Sequence, residues 1–287
     1  MRCTFLLLLL AAAAPGLYGQ WTPRGEVGAV ADDNPGNAAE ADDVVPVRGG
    51  YAALGLGRTV VLGDAWRAHL AGDLRGEGFT RAPGLDLLSF RAEAALRWKL
   101  GYGALAPWVE AGLGASRDQF RQTLRNAWQG KVALRAGKRL TTSLDLQAEG
   151  WAERRRARTG PPEAPGVSAD AFSQASTGLR VAAELALPAN CYLTLAVLRR
   201  QGDVTLASTG GLDEYTQARA AVADPTFGPG FFAYRYPGAT LGARAALLWA
   251  ISERVALVLA YERMDTDVTG LEAYRRGLAT LSTRFSF

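Results

Sequence analysis

The sequence predicts an all-β chain in which about 12 antiparallel strands close into a transmembrane β-barrel with short turns at one end and long loops at the other. Three observations lead to this prediction. Apolar and charged residues alternate with a period of two, the alternating segments are longer than ordinary strands, and the connections between them are short and long in turn.

The alternation is clear in LLSFRAEAALRWKL, residues 87–100. Phe90 and Trp98 share one parity with the small and apolar residues between them, whereas Arg91, Glu93 and Lys99 share the other parity. Because successive side chains of a strand point to opposite faces, this segment has one apolar face and one charged face. A helix would mix the two sets.

Similar segments recur along the whole chain. Several are longer than the five or six residues usual for a strand of a soluble protein. They are long enough for a tilted strand that crosses a bilayer, which takes about 9–11 residues. The predicted strands are 24–33, 50–62, 66–78, 87–100, 105–117, 127–138, 141–154, 172–187, 191–205, 234–250, 254–266 and 272–287.

The connections also follow a rule. Tight turns such as GDA (63–65) and PAN (188–190) alternate with longer connections at 34–49, 79–86, 118–126, 155–171, 206–233 and 267–271. Outer-membrane barrels have short periplasmic turns and longer extracellular loops, so both chain ends are expected on the periplasmic side. A soluble β-sandwich is the alternative fold, since its strands alternate too. Strand length, the regular change of loop length and the richly charged face favour the barrel.

The bilayer around the sheet requires the sheet to close into a barrel. A bilayer core offers no water to backbone amides, so only helices and closed barrels satisfy them there. The apolar parity then faces lipid and the charged parity faces the lumen, and we expect the protein in a bacterial outer membrane. Aromatic residues near strand ends are expected to form girdles at the two interfaces: Trp66, Trp98, Trp108, Trp128, Trp151, Trp249 and Tyr261.

The N-terminus, MRCTFLLLLLAAAAPGLYGQ, has the layout of a secretory signal peptide, with Arg2 before an apolar run and small residues after it. The run is too short for a transmembrane anchor, which takes roughly 20 apolar residues. We predict a signal peptide over 1–19, cleaved after Ala14 or after Gly19, and a barrel over 20–287.

Composition excludes several classes of function. A net charge of +4 is too mild to argue for nucleic-acid binding, and export argues against it as well. Cys191 would be the one cysteine after cleavage, which excludes a disulfide framework. With His69 as the only histidine, a metal site is not expected, and no cofactor is expected either.

The signal peptide, the alternating strands and the terminal aromatic residue resemble those of bacterial outer-membrane β-barrel proteins. The resemblance implies that Leu281, Phe285 and Phe287 form the face of the last strand that the barrel-assembly machinery reads. A narrower resemblance lies in GAVADDNPGNAAEADD (28–43), which is similar to the first strand and loop of surface-lipoprotein assembly and exopolysaccharide-export barrels. Ala31 stands here in place of the aromatic residue of that pattern.

The charged parity supplies the candidate lumen-lining residues, with nine basic and seven acidic members besides histidine. They are Arg67, His69, Asp73, Arg75, Arg91, Glu93, Arg97, Glu110, Lys131, Arg135, Asp145, Glu149, Arg180, Glu184, Arg244, Glu262 and Arg284. Charged residues in a lumen tune ion selectivity, which predicts a channel with a mild preference for anions. The alternative is a network of ion pairs that plugs the interior, since 12 strands lie between the filled eight-stranded barrels and the open porins.

Three further features of the sequence each allow two interpretations. Arg154, Arg155, Arg156 and Arg158 form a basic cluster for phosphates of lipopolysaccharide or for an anionic solute, or else a solvated loop. The acidic first loop (Asp32, Asp33, Glu40, Asp42, Asp43) is either a calcium site or a solvated loop, and its spacing fits no defined calcium motif. The long connection 206–233 either folds into the mouth as a constriction or covers it.

The predicted function is a porin-like channel for passive passage of small hydrophilic solutes, with outer-membrane lipid and lipopolysaccharide as partners and a monomer favoured. One alternative is a barrel for export or surface assembly of a polysaccharide or lipoprotein. Another is a plugged structural barrel or adhesin that acts through its loops. An enzyme is not expected, because His69 lies on the inward parity beside Arg67 and Asp73, although a serine from a neighbouring strand is left open.

Overall fold

The computed structural model describes residues 20–163, 166–210 and 212–287. The predicted signal peptide, 1–19, lies outside the described residues. Within them, no helix is long and apolar enough to span a membrane.

Over the described residues, the chain folds into one antiparallel sheet with one short α-helix, α1, in its longest loop. In chain order the elements are β1 (Trp21–Asp32), β2 (Val47–Val61), β3 (Trp66–Phe79), β4 (Leu87–Lys99), β5 (Trp108–Phe120), β6 (Ala127–Arg139), β7 (Leu144–Ala157), β8 (Gln174–Leu187), β9 (Cys191–Ser208), α1 (Leu212–Gln217), β10 (Ala220–Ala223), β11 (Phe232–Ala250), β12 (Val255–Val268) and β13 (Tyr274–Ser286).

Twelve of these strands form the barrel wall. Each pairs with its neighbours in order, β13 pairs with β1, and β9 pairs with β11, so the sheet closes on itself. The four-residue β10 lies outside this ring, against the first residues of β11. The predicted fold class, a closed antiparallel barrel of about 12 strands, is confirmed.

The outer surface of the barrel is apolar. Large aliphatic side chains on strands all round the ring are more than half exposed: Leu54, Leu113, Val132, Leu134, Leu179, Val197, Leu241, Leu259 and Leu281. A wall strand of 13 residues, tilted by about 40°, rises about 33 Å, which covers the apolar band of about 25 Å in such barrels. A soluble sandwich would bury these side chains, so the distribution excludes that alternative.

The two ends of the barrel differ. Turns of three to eight residues close what we call the turn end, where β1 begins and β13 ends. The predicted GYGA turn is longer than expected, at 100–107, because β5 begins at Trp108 and not at 105. Pro107 has no amide proton to give to a ladder, and its carbonyl accepts from the amide of Leu100 at 2.8 Å instead.

Long connections lie at the opposite end, the loop end. Here β9 and β11 are the longest strands, with 18 and 19 residues. They extend beyond their neighbours and carry the longest connection, 209–231, which contains α1 and β10. The buried hydrophobic clusters of the molecule lie at this end, formed by the extended strands and the loops.

Candidate functional site

The connection 209–231, which we call the cap, contacts the other long loops one by one. Its Thr209 hydroxyl donates to Asp43 of the first loop at 2.8 Å. The amide of Ala221 donates to the Ser168 carbonyl at 2.8 Å, in the loop between β7 and β8. Tyr215 packs in the same cluster as Leu271, from the loop between β12 and β13.

Two further contacts take the cap to the far side of the mouth. Asp224 is fully buried and accepts from the Arg125 guanidinium at 2.5 Å, in the loop between β5 and β6. Phe227 packs against Ala82 and Leu85, in the loop between β3 and β4. Five strands separate that loop from the hairpin of β9 and β11 in either direction round the ring. The cap therefore crosses the full diameter of the mouth and covers it.

The predicted lumen-lining residues all lie on the concave face of the wall. On this face, side chains from strands two positions apart come into contact. Glu110 on β5 is 4% exposed and accepts from Arg97 and Arg135 at 2.9 Å each. Arg135 on β6 also reaches Glu93 on β4 at 2.8 Å and Glu149 on β7 at 3.2 Å. A continuous ladder of ion pairs thus runs over four neighbouring strands.

Ion pairs elsewhere in the interior are equally local. Arg284 pairs with Glu26 at 2.9 Å between β13 and β1. Arg244 pairs with Glu262 at 3.4 Å between β11 and β12. Among the wall residues that the structure describes, ion pairs between strands join strands that are adjacent or next but one.

The width of the barrel keeps charged side chains on opposite walls apart. Twelve strands about 4.8 Å apart, tilted by about 40°, give a backbone radius of about 12 Å, so opposite strands lie about 24 Å apart. The charged side chains pair along the wall and not across this distance. The ion-pair network that was the alternative to a channel exists along the wall, and within the described residues none of its pairs bridges the interior.

Two tryptophans face the interior, contrary to the girdle prediction. Trp108 carries the Arg97 guanidinium over its ring at 3.9 Å, and Lys131 lies 5.1 Å from the ring of Trp151. Each tryptophan covers a glycine of the next strand: a Cβ at Gly137 would collide with the ring of Trp108, and one at Gly178 would collide with the ring of Trp151. Both share parity with neighbouring inward charges, a signal that was present in the sequence.

A basic cavity lies inside the turn end. Its volume is about 260 Å³, and its charged lining comprises four cations and one carboxylate: Arg67, Arg97, Lys99, Arg139 and Asp145. Arg67, Lys99 and Arg139 make no ion pair with any residue that the structure describes. Sequence reasoning left Lys99 and Arg139 out of the lumen set, although both have the inward parity.

A second chamber lies at the loop end, and its lining includes Arg125, the partner of Asp224 in the cap. It has a volume of about 360 Å³ and receives residues from eight wall strands. Arg125, Arg155 and Arg276 are its cations, and Asp32 and Glu77 are its carboxylates. Arg276 donates to both carboxylate oxygens of Asp32, at 3.0 and 2.5 Å through Oδ2 and 3.1 Å through Oδ1.

The remaining inward residues occupy two smaller cavities and the wall between them. Arg180, Glu184 and Thr194 line a cavity of about 180 Å³ with Glu149. Arg91 and Lys131 line another of about 240 Å³. Asp73 pairs with Arg24 at 2.6 Å, and the Arg75 guanidinium lies 3.8 Å from the ring of Tyr51.

The predicted arginine cluster does not form one surface. Arg155 points inward, where it pairs with Asp118 at 2.9 Å and donates to the Arg125 carbonyl at 2.6 Å. Arg154 and Arg156 are exposed on the outer face, and Arg158 follows the end of β7. The prediction that all four act together is wrong, because the strand continues through 157 and alternation sends Arg155 to the other side.

The carboxylates of the acidic first loop bind other segments of the chain, namely β13 and the end of β9. Asp32 binds Arg276, Asp33 accepts from the amide of Gly277 at 2.6 Å, and Asp43 accepts from Ser208 at 2.7 Å. No group of acidic, histidine or cysteine side chains within the described residues has the arrangement of a metal site. Three of the five carboxylates predicted as a calcium alternative, Asp32, Asp33 and Asp43, are thus engaged by the protein itself.

His69 lies in the interior wall near the turn end. Its Nδ1 is 3.0 Å from the Thr59 hydroxyl, and its Nε2 is 3.9 Å from Glu110. Within the described chain, no serine hydroxyl is hydrogen-bonded to it. At the end of β13, Leu281 is exposed on the outer face, and the amide of Phe287 donates to the Pro23 carbonyl at 3.2 Å.

The fold is similar to those of solved outer-membrane proteins. An outer-membrane channel from Pseudomonas putida F1 superimposes with a TM-score of 0.59 and 12% sequence identity, over 96% of this chain and 100% of that chain. The NanC porin gives a TM-score of 0.49 and 6% identity, over 91% of this chain and 98% of that chain. No family model and no curated protein matches the sequence. The chain has the fold of an outer-membrane β-barrel.

Proposed function

We propose that this chain is an outer-membrane channel for passive passage of small hydrophilic solutes, with a preference for anions, and that the cap closes its extracellular mouth. One observation carries the proposal. The interior charges pair along the wall over short distances, in a ring whose opposite backbones lie about 24 Å apart. Such an interior holds water and ions without being filled by its own side chains.

The exterior supports placement in the membrane. The belt of exposed leucines and valines matches a hydrocarbon layer, and the stacked pair Trp66 and Trp98 lies on the same outer face near the turn end, with ring centroids 5.6 Å apart. Barrels of this kind keep short turns in the periplasm. The turn end is then periplasmic, and the cap is extracellular.

The preference for anions rests on the unpaired cations. Arg67, Lys99 and Arg139 stand at the turn end around a cavity with a single carboxylate, Asp145. A positive potential at a narrow entrance raises the local concentration of anions and lowers that of cations. The paired charges farther inside contribute little net potential, because each carboxylate of the ladder has a cation beside it.

The covered mouth favours a second candidate, a barrel that stays closed and acts through its loops. Conductance of the purified chain in planar bilayers separates the two functions. We expect current from the full chain in bursts, and steady current from a variant in which 212–229 is replaced by a short glycine–serine linker. Absence of current from both proteins would overturn the channel and favour the closed barrel.

A further inference from the structure

The outer face at the loop end carries a row of residues that no channel function uses. The strand register places Phe90 opposite Arg117, Arg117 opposite Trp128, and Trp128 opposite Arg156. Arg154 lies on the same face of β7, two residues nearer the middle of the barrel. The Arg117 guanidinium is 5.3 Å from the ring of Trp128, which is itself 49% exposed. Three cations thus surround one outward tryptophan.

These arginines have no carboxylate to neutralise them. Arg117, Arg154 and Arg156 make no ion pair with any residue of the described chain, and the outward positions near them on β4 to β8 carry no acid. The opposite wall differs. There the outward Arg263 and Arg275 share Asp265, at 3.4 and 3.1 Å.

The surface below the arginines is shaped for an apolar group. Ala115 and Gly130 lie next to each other there, and a Cβ added at Gly130 would meet no heavy atom within 4 Å. Farther toward the middle, Leu113 and Leu134 are 61% and 65% exposed. A shallow, smooth strip therefore runs from the cations down to the leucine belt.

We propose that this surface, formed by Arg117, Trp128, Arg154 and Arg156, binds the phosphate groups of lipid A in the outer leaflet. Guanidinium groups form paired hydrogen bonds with phosphate oxygens, which matches three unpaired arginines facing outward at the level of the lipid headgroups. A free phosphate would use the cations alone. A lipid also uses the strip beneath them, where its acyl chains lie against the leucines.

The experiment compares two double variants that each remove two outward positive charges from the same end of the barrel. Arg154→Gln with Arg156→Gln removes two of the three cations of the proposed site, and Arg263→Gln with Arg275→Gln is the control. All four side chains lie outside the hydrophobic clusters, and the gel shift between heated and unheated samples verifies that each variant is folded.

Binding is measured by native mass spectrometry of the refolded full chain in detergent, with EDTA present so that divalent cations form no bridges. The probes are lipid A with both phosphates, the same lipid A without phosphates, phosphatidylglycerol and inorganic phosphate. We expect phosphorylated lipid A to bind the wild type and the control equally, and the Arg154/Arg156 variant about tenfold more weakly or worse.

Other outcomes overturn the proposal. Equal weakening in both double variants would mean that net charge alone attracts the lipid. Equal binding of phosphate-free lipid A or of phosphatidylglycerol would remove the assignment to lipid A phosphates, and full competition by inorganic phosphate would make the surface a simple anion site. The measurement involves no current, so it stands or falls separately from the channel function.

Discussion

The ion pair that fastens the cap offers a direct test of the closed mouth. Asp224 is fully buried in the cap and contacts Arg125, whose side chain is 14% exposed. The guanidinium also lies over the rings of Phe172 and Phe227, at 4.6 and 5.5 Å, and its Nε has no hydrogen-bond partner among the described residues. In the variant Asp224→Ala, the buried guanidinium of Arg125 loses its counterion.

The expected magnitude follows from that geometry. Removing one member of a buried pair leaves an uncompensated charge at a cost of about 3–5 kcal/mol. Movement of the cap relieves the cost without disturbing any wall strand, since Arg125 then reaches water. The ratio of open to closed caps is therefore expected to rise by at least about a hundredfold.

Arg121→Ala is the matched control. It removes an exposed ion pair from the same loop as Arg125, where Arg121 lies 3.7 Å from Asp86 and its side chain is 70% exposed. Exposed pairs contribute about 0–1 kcal/mol, so this variant should behave as the wild type does.

Two assays report cap opening. The fraction of time spent at high conductance is measured in planar bilayers, and the rate of tryptic cleavage after Arg219, in the cap, is measured without any current. Cleavage requires local opening, because the Arg219 amide donates to the Arg235 carbonyl at 2.8 Å. If Asp224→Ala matches Arg121→Ala in both assays, the buried pair does not hold the cap closed.

Three other variants examine the wall. Arg139→Glu is expected to shift the reversal potential in a KCl gradient toward cations, whereas Lys138→Glu on the outer face should leave it unchanged; equal shifts would argue against a lumen origin of selectivity. Leu195→Arg, facing lipid, should lower the free energy of unfolding by about 2 kcal/mol in urea titrations in liposomes, and Thr194→Arg, facing the lumen, by much less; similar losses would contradict the assigned faces. Gly178→Val should cost about 1–3 kcal/mol in the same titration by displacing the inward tryptophan that covers it, and an unchanged midpoint would show that the ring is free to move.

The barrel wall could be predicted from the sequence because the information is local. A period of two assigns every side chain to a face, and water inside with lipid outside decides which face is charged. The predicted strand 127–138 differs from β6 (Ala127–Arg139) by one residue. The same rule, applied to Arg155 and to Trp108, would have placed both inside. Those two errors came from grouping residues by sequence neighbourhood and by type instead of by parity.

The loop end was beyond such reasoning, because contacts there join segments distant in sequence. Alternation extends the hairpin of β9 and β11 past 205 and 234, but it does not predict the path of the chain that connects the two strands. Buried Asp224 and its partner Arg125 are 99 residues apart, and no spacing rule relates them. The sequence therefore left the connection 206–233 as either a constriction or a cover, and the contact with the opposite loop decides for a cover.

The two regions consequently use charge in different ways. In the wall, the ion pairs connect strands that are adjacent or next but one and that the backbone ladders of the closed sheet already hold in place, so losing one pair changes local potential more than architecture. In the cap, the pair of Asp224 and Arg125 connects segments with no shared ladder, and its loss changes where a whole segment lies. Selectivity should therefore respond to charge changes at the turn end, and opening should respond to charge changes under the cap. A variant of the cap pair that altered ion preference but not opening would contradict this division.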